Sequence, residues 1–226
     1  MKIIGIETSS PVFSIALADD NTMIFEIRRG RRIFGPNRDA GLFDDVRDML
    51  KHYEQSQISA IAISIGPGLF TSLRVGLSLA KGLAISWKKP VVAVNTLDLL
   101  GTASSVIPGP LMAVIDAHHN ELYAASYKAG SRISDYRLIT PEALINTLSG
   151  KWTAIGSGSA LLAKYHFEGV DINYIESESF LPNAAKVIEI ARPRIEQQQY
   201  ERIDDLEPFY LKRTDAERNR NKTNEI

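Results

Sequence analysis

Residues 61–87, IAISIGPGLFTSLRVGLSLAKGLAISW, read as a buried strand, a glycine turn and a helix without a polar face. Every fourth position from Ser72 is small (Ser72, Gly76, Ala80, Ala84), while Leu73, Val75, Leu77, Leu79 and Leu83 occupy the other sides and only Arg74 and Lys81 carry charge. A helix that is apolar nearly all round must be covered nearly all round. A ridge of small residues admits a second backbone at close range, so one side is expected on a sheet and the other beneath a further cover. Gly66-Pro67-Gly68 supplies a tight turn, and Thr71 is the expected N-cap. The turn lacks the Lys-Ser/Thr ending of a P-loop and Arg74 opposes the helix dipole, so nothing in the stretch itself marks a phosphate site.

The flanking sequence repeats one order of elements. Segments 2–7, 12–18 and 23–28 have strand composition and are separated by polar turns. Leu42, Phe43, Val46, Met49, Leu50 and Tyr53 share one face of an amphipathic helix. A strand at 60–65, the apolar helix, a strand at 91–94 and a helix from 96 to about 104 complete βββαβαβα. After the Pro108-Gly109-Pro110 break, strands at 111–116, 122–127 and 132–139 are followed by helix 141–148, strand 153–155, helix 160–165, strand 172–175 and a helix from 184 to about 198. Pro193 should kink or end that last helix early. Two copies of βββαβαβα predict a duplicated α/β unit with mixed sheets, the order of the actin-like, sugar-kinase and heat-shock ATPase superfamily. The expected division is a lobe at 1–107, a smaller lobe at 108–213 and a polar, disordered tail at 214–226.

Charge and composition narrow the function. With 26 basic and 27 acidic side chains the net charge is −1, which argues against gripping nucleic acid by charge alone. Arg28, Arg29, Arg31, Arg32 and Arg38 nevertheless gather in RRGRRIFGPNR, either as a solvated loop or as a patch for RNA phosphate or an acidic partner. No apolar run is long enough to span a membrane, and MKIIGIETSS turns polar too soon for a secretory signal. Cysteine is absent, which excludes disulfides, thiolate metal sites and a cysteine nucleophile and fits a reducing cytoplasm. Superfamily nucleotides sit between the lobes at turns that follow strands. The candidate contacts here are Glu7, Thr8, Ser9 and Ser10, with Asp116-Ala117-His118-His119 opposite and no glycine pair to wrap a phosphate. A small-molecule kinase or ATPase would have to rely on Glu7, Asp116 and Ser10. A peptidase finds neither a nucleophile beside a histidine nor a metal pair.

Four segments carry a resemblance: IIGIETSS at the start, IGPGLFTSLRVGLSLAKGLA in the middle, VIDAHHNELYAASY opening the second half and EPFYLKRTDAE near the end. From Met1 to about Glu217 the chain resembles the TsaB family, bacterial proteins required to make threonylcarbamoyladenosine in tRNA. It departs from the family pattern at Leu69 (commonly Ser), Ser72 (Gly), Glu7 (more often Asp), and His118 and His119 (arginines). The resemblance implies a non-catalytic partner that binds and stabilises a TsaD-like enzyme. That enzyme's His-x-x-x-His metal pair has no counterpart among His52, His118, His119 and His166. The resemblance further implies no required cofactor, with ATP or ADP bound weakly at the lobe cleft or partner interface if at all. A homodimer is expected when the chain is alone, a TsaE-like ATPase is a further associate, and tRNA is reached indirectly. It also supplies the missing cover, placing Leu42, Phe43, Val46 and Leu50 of the first helix and Phe70, Leu73, Arg74, Gly76, Leu77, Ala80 and Lys81 of the second at the partner interface.

Overall fold

Isoleucines on alternate sides of the first strand decide what stacks on what. The computed structural model describes residues 1–30, 41–166, 168–175 and 180–211. Strands β1 (Lys2–Glu7), β2 (Val12–Asp19), β3 (Thr22–Gly30), β4 (Ile58–Ser64) and β5 (Val91–Val94) form one sheet in the order β3-β2-β1-β4-β5. Within it β1, β2 and β3 are antiparallel, and β1, β4 and β5 parallel. Because successive side chains point to opposite faces, Ile4 and Ile6 meet helices α1 (Leu42–Leu50) and α2 (Phe70–Trp87), whereas Ile3 meets α6 (Ala184–Glu196). Gly5 lies on the α6 side, and a Cβ there would run into the Ala184 carbonyl oxygen. The glycine is what lets α6 lie so close to the strand.

The second half repeats the path, with helices α4 (Pro141–Ile145) and α5 (Ser159–Leu162) between its strands and after them α6. Strands β6 (Pro110–Asp116), β7 (Leu122–Lys128), β8 (Ser131–Arg132), β9 (Arg137–Ile139), β10 (Gly150–Ile155) and β11 (Val170–Ile175) give β11-β10-β6-β7-β8, with β9 also on β7. The duplicated mixed sheets read from the sequence are thus present. The third strand of this half is broken in two, because Ser134 Oγ accepts the Ser126 N–H at 2.9 Å and interrupts the ladder. Pro193 does not end α6. Both Pro193 and Glu189, whose carbonyl it leaves without an intrahelical donor, are exposed, so water can serve that carbonyl. Helix α1 stops at Leu50, and Tyr53 packs against the same core from the turn beyond it.

The division at 107/108 separates the sheets but not the helices. Helix α3 (Thr96–Gly101) belongs to the first half by sequence, yet its Leu97 and Leu100 cluster with Leu111, Ala113, Ala125 and Tyr127 of the second sheet. Asp98 fixes it there, accepting from Tyr127 Oη at 2.7 Å and Tyr136 Oη at 2.6 Å. Burial, reinforced by the Asp98 carboxylate, pushes both phenols up, so they remain donors. Conversely Ala184, Val187, Ile188 and Ala191 of α6 pack on Ile3, Ala16, Ala60 and Val92 of the first sheet. The segment after α6 stays there, with Leu206 in the core beside α1 and α2 and the Phe209 N–H on Ile65 O at 2.8 Å. Residues 184–209, assigned to the second lobe by sequence order, therefore stand on the first sheet. The tail at 214–226 lies outside the described residues.

Candidate functional site

The two sides of α2 are now distinguishable. Ser72, Gly76, Ala80 and Ala84 are all buried against the chain's own sheet, and Ala80 is 0% exposed. A Cβ on Gly76 would strike the Thr8 side chain. Leu42, Val46, Leu73 and Leu77 are buried in the same layer. The expected placement of Leu42, Val46, Leu73, Gly76, Leu77 and Ala80 at a partner interface is thereby corrected. An apolar helix lying on an isoleucine-rich sheet presents its small ridge to that sheet, which lets the backbones approach and buries the flanking leucines. Phe43, Phe70, Arg74 and, in part, Leu50 and Lys81 remain on the outside.

Their neighbours on that outer side were not singled out by sequence. Val75 and Ile85 are exposed, Ile85 by 64%, and between them runs a second stripe of small residues, Ser78, Gly82 and Ser86. A Cβ added at Gly82 meets nothing. The leucine positions were the available signal, since Leu73, Leu77, Leu79 and Leu83 mark one arc and Val75, Ser78, Gly82 and Ile85 lie opposite. At the start of α2, Tyr210 stacks on Phe70 with centroids 5.3 Å apart. Arg74 lies over the Phe70 ring at 3.9 Å and donates from Nε to Tyr210 Oη at 3.1 Å. Thr71 is not the cap: Leu69 is the N-cap residue, and its own N–H is held by Ser9 O at 2.8 Å.

Helix α1 brings Phe43, 60% exposed, to the same side. Its orientation is set by an ion pair between β3 and the helix. Arg29 donates from Nε to both Asp45 oxygens, at 3.0 and 2.9 Å, and from Nη2 at 2.7 Å, and the Asp45 side chain is 0% exposed. Arg29, expected either in a solvated loop or in a patch for RNA phosphate or an acidic partner, is therefore a strand residue paired with α1. Arg28 is also in β3 and pairs with Glu26, while Arg31, Arg32 and Arg38 lie outside the described residues.

A cleft of about 910 Å³ opens between the two sheets, lined among others by Ser9, Ser10, Leu69, Arg74, Thr96, Asp116, His118, His119, Tyr123, Ser157, Phe209 and Tyr210. The four candidate nucleotide contacts are not equivalent. Glu7, Thr8 and Ser9 are buried, and Glu7 Oε1 accepts from both the N–H and the hydroxyl of Ser9. Burial holds the Glu7 carboxyl above its usual range against the opposing pull of the Ser64 and Ser9 hydroxyls. The Ser64 hydroxyl lies close but makes no well-formed bond, so that among the described residues Glu7 Oε2 has no donor. Opposite, His118, His119 and Asn120 are consecutive non-glycine residues of positive φ, held by a bond from the His118 N–H to Asp116 Oδ1 at 2.8 Å. No group of three or more His, Asp or Glu placed to hold a metal ion occurs among the described residues.

A family model described as "TsaD: tRNA N6-adenosine threonylcarbamoyltransferase" matches residues 46–219. The tRNA threonylcarbamoyladenosine biosynthesis protein TsaB of Escherichia coli (strain K12) is 27% identical over 224 residues, which is 94% of this chain and 95% of that protein. A tRNA N6-adenosine threonylcarbamoyltransferase of Fervidobacterium nodosum is 36% identical over 110 residues, covering 42% of this chain and 32% of the enzyme. YeaZ from Pseudomonas aeruginosa superposes with a TM-score of 0.77 at 24% identity, over 93% of this chain and 99% of that one. The chain shares the fold of that structure, and it belongs to the family this model describes and, within it, to the TsaB proteins.

Proposed function

We propose that this chain is a non-catalytic subunit that binds and stabilises a TsaD-like enzyme for threonylcarbamoylation of the adenosine next to the anticodon in tRNA. The observation that carries it is the outer side of α1 and α2. Phe43, Val75 and Ile85 stand exposed around a stripe, Ser78, Gly82 and Ser86, that leaves room for another helix. Exposed large apolar side chains on the outer sides of neighbouring helices fit an interaction site, and small residues between helices allow the close approach that the buried ridge already uses inside. Alone, the same surface pairs two copies about a twofold axis. The enzyme displaces the second copy, a TsaE-like ATPase joins the assembly, and tRNA is reached through the enzyme. The setting is the cytoplasm, and no cofactor is required.

Co-purification with the threonylcarbamoyltransferase of the same organism tests this, together with reconstituted tRNA modification. The pair should elute together, the enzyme should melt at a higher temperature in the complex, and the isolated chain should be inert. Hydrolysis of ATP by the chain alone at about one turnover per second or faster, the low end for enzymes, would overturn it. So would equal capture of the enzyme by the wild type and by Ile85→Glu.

A further inference from the structure

Helix α2 is 18 residues long, and its N-terminal end opens onto the cleft, with Leu69, Phe70, Leu73 and Arg74 in the wall. A helix start exposes free N–H groups and partial positive charge, normally met by a capping side chain or an acid in the first turn. Here Leu69 offers no side-chain acceptor and the first turn holds no acidic residue. Among the described residues, the N–H groups of Phe70 and Thr71 meet no acceptor. One turn in, Arg74 folds its guanidinium back over Phe70, adding a cation to an end that already repels one.

A second, independent feature faces the same space. Thr96, the first residue of α3, lines the cleft, is 1% exposed and, among the described residues, leaves Oγ1 without a partner. Of the buried hydroxyls in that state, Thr8, Ser64, Ser72, Thr96 and Ser159, it is Thr96 that stands in the cleft wall, where a bound molecule could supply the partner. Part of the wall is apolar, with Leu100, Tyr123 and Phe209 among its residues. The volume is of the size that encloses small molecules.

We propose that the cleft binds a small organic acid, its carboxylate seated on the uncapped start of α2 beside Arg74 and its apolar body lying between Leu100, Tyr123 and Phe209. The charge on offer at this end of the cleft, one helix end and one guanidinium, suits a monoanion, with Asp116, His118 and His119 across the same cleft. A polyphosphate would instead draw on the turn after β1, where both the N–H and the hydroxyl of Ser9 are already engaged by Glu7. Binding of the acid is independent of the docking surface proposed above, since it uses the cleft side of α2.

Calorimetric titration of the full chain with phenylacetate, phenylacetamide, inorganic phosphate and ADP tests the proposal. Phenylacetate should bind in the millimolar range, with the amide, which keeps the ring and loses the charge, at least about tenfold weaker. Arg74→Gln, at an exposed position, should weaken phenylacetate by about tenfold with the melting temperature unchanged, in line with the loss of a charged hydrogen bond. Thr96→Val should weaken it as well, and if that variant does not fold, Arg74→Gln alone decides. The proposal is overturned if phenylacetate fails to bind up to the millimolar range, if acid and amide bind alike, or if Arg74→Gln changes nothing. It is equally overturned if phosphate binds as tightly as phenylacetate, or if ADP binds and its affinity depends on Ser10 rather than on Arg74.

Discussion

Helix α2 carries two stripes of small residues on opposite sides, and they serve different ends. Ser72, Gly76, Ala80 and Ala84 lie against β1 and β4, where Gly76 touches Thr8 and Ala80 is sealed from water. Ser78, Gly82 and Ser86 face outward between Val75 and Ile85, and a side chain added at Gly82 would stand in open space. Small residues at every fourth position report that another backbone comes close, without saying whose. What separates the stripes is their company. The inner one is flanked by leucines that the sheet buries, the outer one by two β-branched residues left in water.

An arginine placed on each stripe is the strongest way to break this comparison. Ala80→Arg forces an unpaired charge between helix and sheet, at a cost of several kcal/mol. That approaches the whole stability of a typical domain, about 5–15 kcal/mol. The expected outcome is loss of the thermal transition and of helical circular dichroism. Gly82→Arg should melt as the wild type does or slightly higher, since replacing a mid-helix glycine is worth up to about 1 kcal/mol. A cooperative, wild-type melt for Ala80→Arg would show that the inner stripe is not core.

Next in size is the ion pair that aims α1. Arg29→Ala leaves the Asp45 carboxylate buried without its cation. Breaking a fully buried pair costs about 3–5 kcal/mol, and because the Arg29 side chain is 37% exposed about 2–3 kcal/mol is expected here. Adding Asp45→Ala should restore part of the loss, which a double-mutant cycle by urea denaturation measures. A charge-reversed Arg29 would then impair tRNA modification through a disordered α1 rather than through lost RNA contact. If Arg29→Ala melts normally yet abolishes tRNA binding, the arginine faces RNA after all.

Much of this architecture was legible in the sequence, and the places where it was not have physical causes. The repeated βββαβαβα order survives because hydrophobic period distinguishes strand from helix locally. Local period says nothing about which sheet a helix crosses to, so the exchange of α3 and α6 could not be read. Long-range contacts show it, such as those of Asp98 with Tyr127 and Tyr136 and the close approach of Gly5 to Ala184. On α2 the run of small residues Ser72, Gly76, Ala80 and Ala84 drew attention to the stripe that is buried, whereas the leucine arc would have located the core. Arg29 looked like part of a basic run because its partner Asp45 lies 16 positions away. Phe43, Phe70 and Arg74, expected at a partner interface, are exposed, while Tyr210 was missed because nothing local ties the end of the chain to the start of α2.

Glu7 sharpens the picture of the inner side, because it ends the strand on which the buried stripe rests. Its carboxyl is held above the ordinary value of 4.5 chiefly by burial. The folded chain therefore keeps a proton that the unfolded chain releases. This group's contribution to stability is complete below about pH 4.5 and is lost as pH rises through the folded-state value. Glu7→Gln keeps an oxygen for the Ser9 donors and removes the titration. Denaturation by urea at pH 4 and pH 8 should show the variant gaining on the wild type as pH rises. Parallel curves would mean that the burial of Glu7 does not alter its ionisation.

The smallest change in stability, and the most informative about function, is expected on the outer stripe. Ile85→Glu exchanges an exposed side chain for a charged one at a helix position with solvent on all sides but one, and such surface changes usually stay within about 0.5 kcal/mol. Phe43→Glu on α1 should behave the same way. Association is another matter. An exposed aliphatic or aromatic anchor that becomes buried on docking is worth about 1.5–3 kcal/mol in transfer alone, and a carboxylate in its place must be desolvated without a partner. Each variant should therefore keep its melting temperature, elute as a monomer and capture the transferase at least about tenfold more weakly, the affinity equivalent of 1.4 kcal/mol. The two sites also differ in a useful way, since Phe43 and Ile85 sit on different helices and should add nearly independently if both face one partner. If either variant loses its fold, that side of the helix packs inward and the contrast between the stripes fails. If both stay folded and still capture the enzyme, docking uses another surface, and the outer stripe of α2 must be explained by something other than a TsaD-like partner.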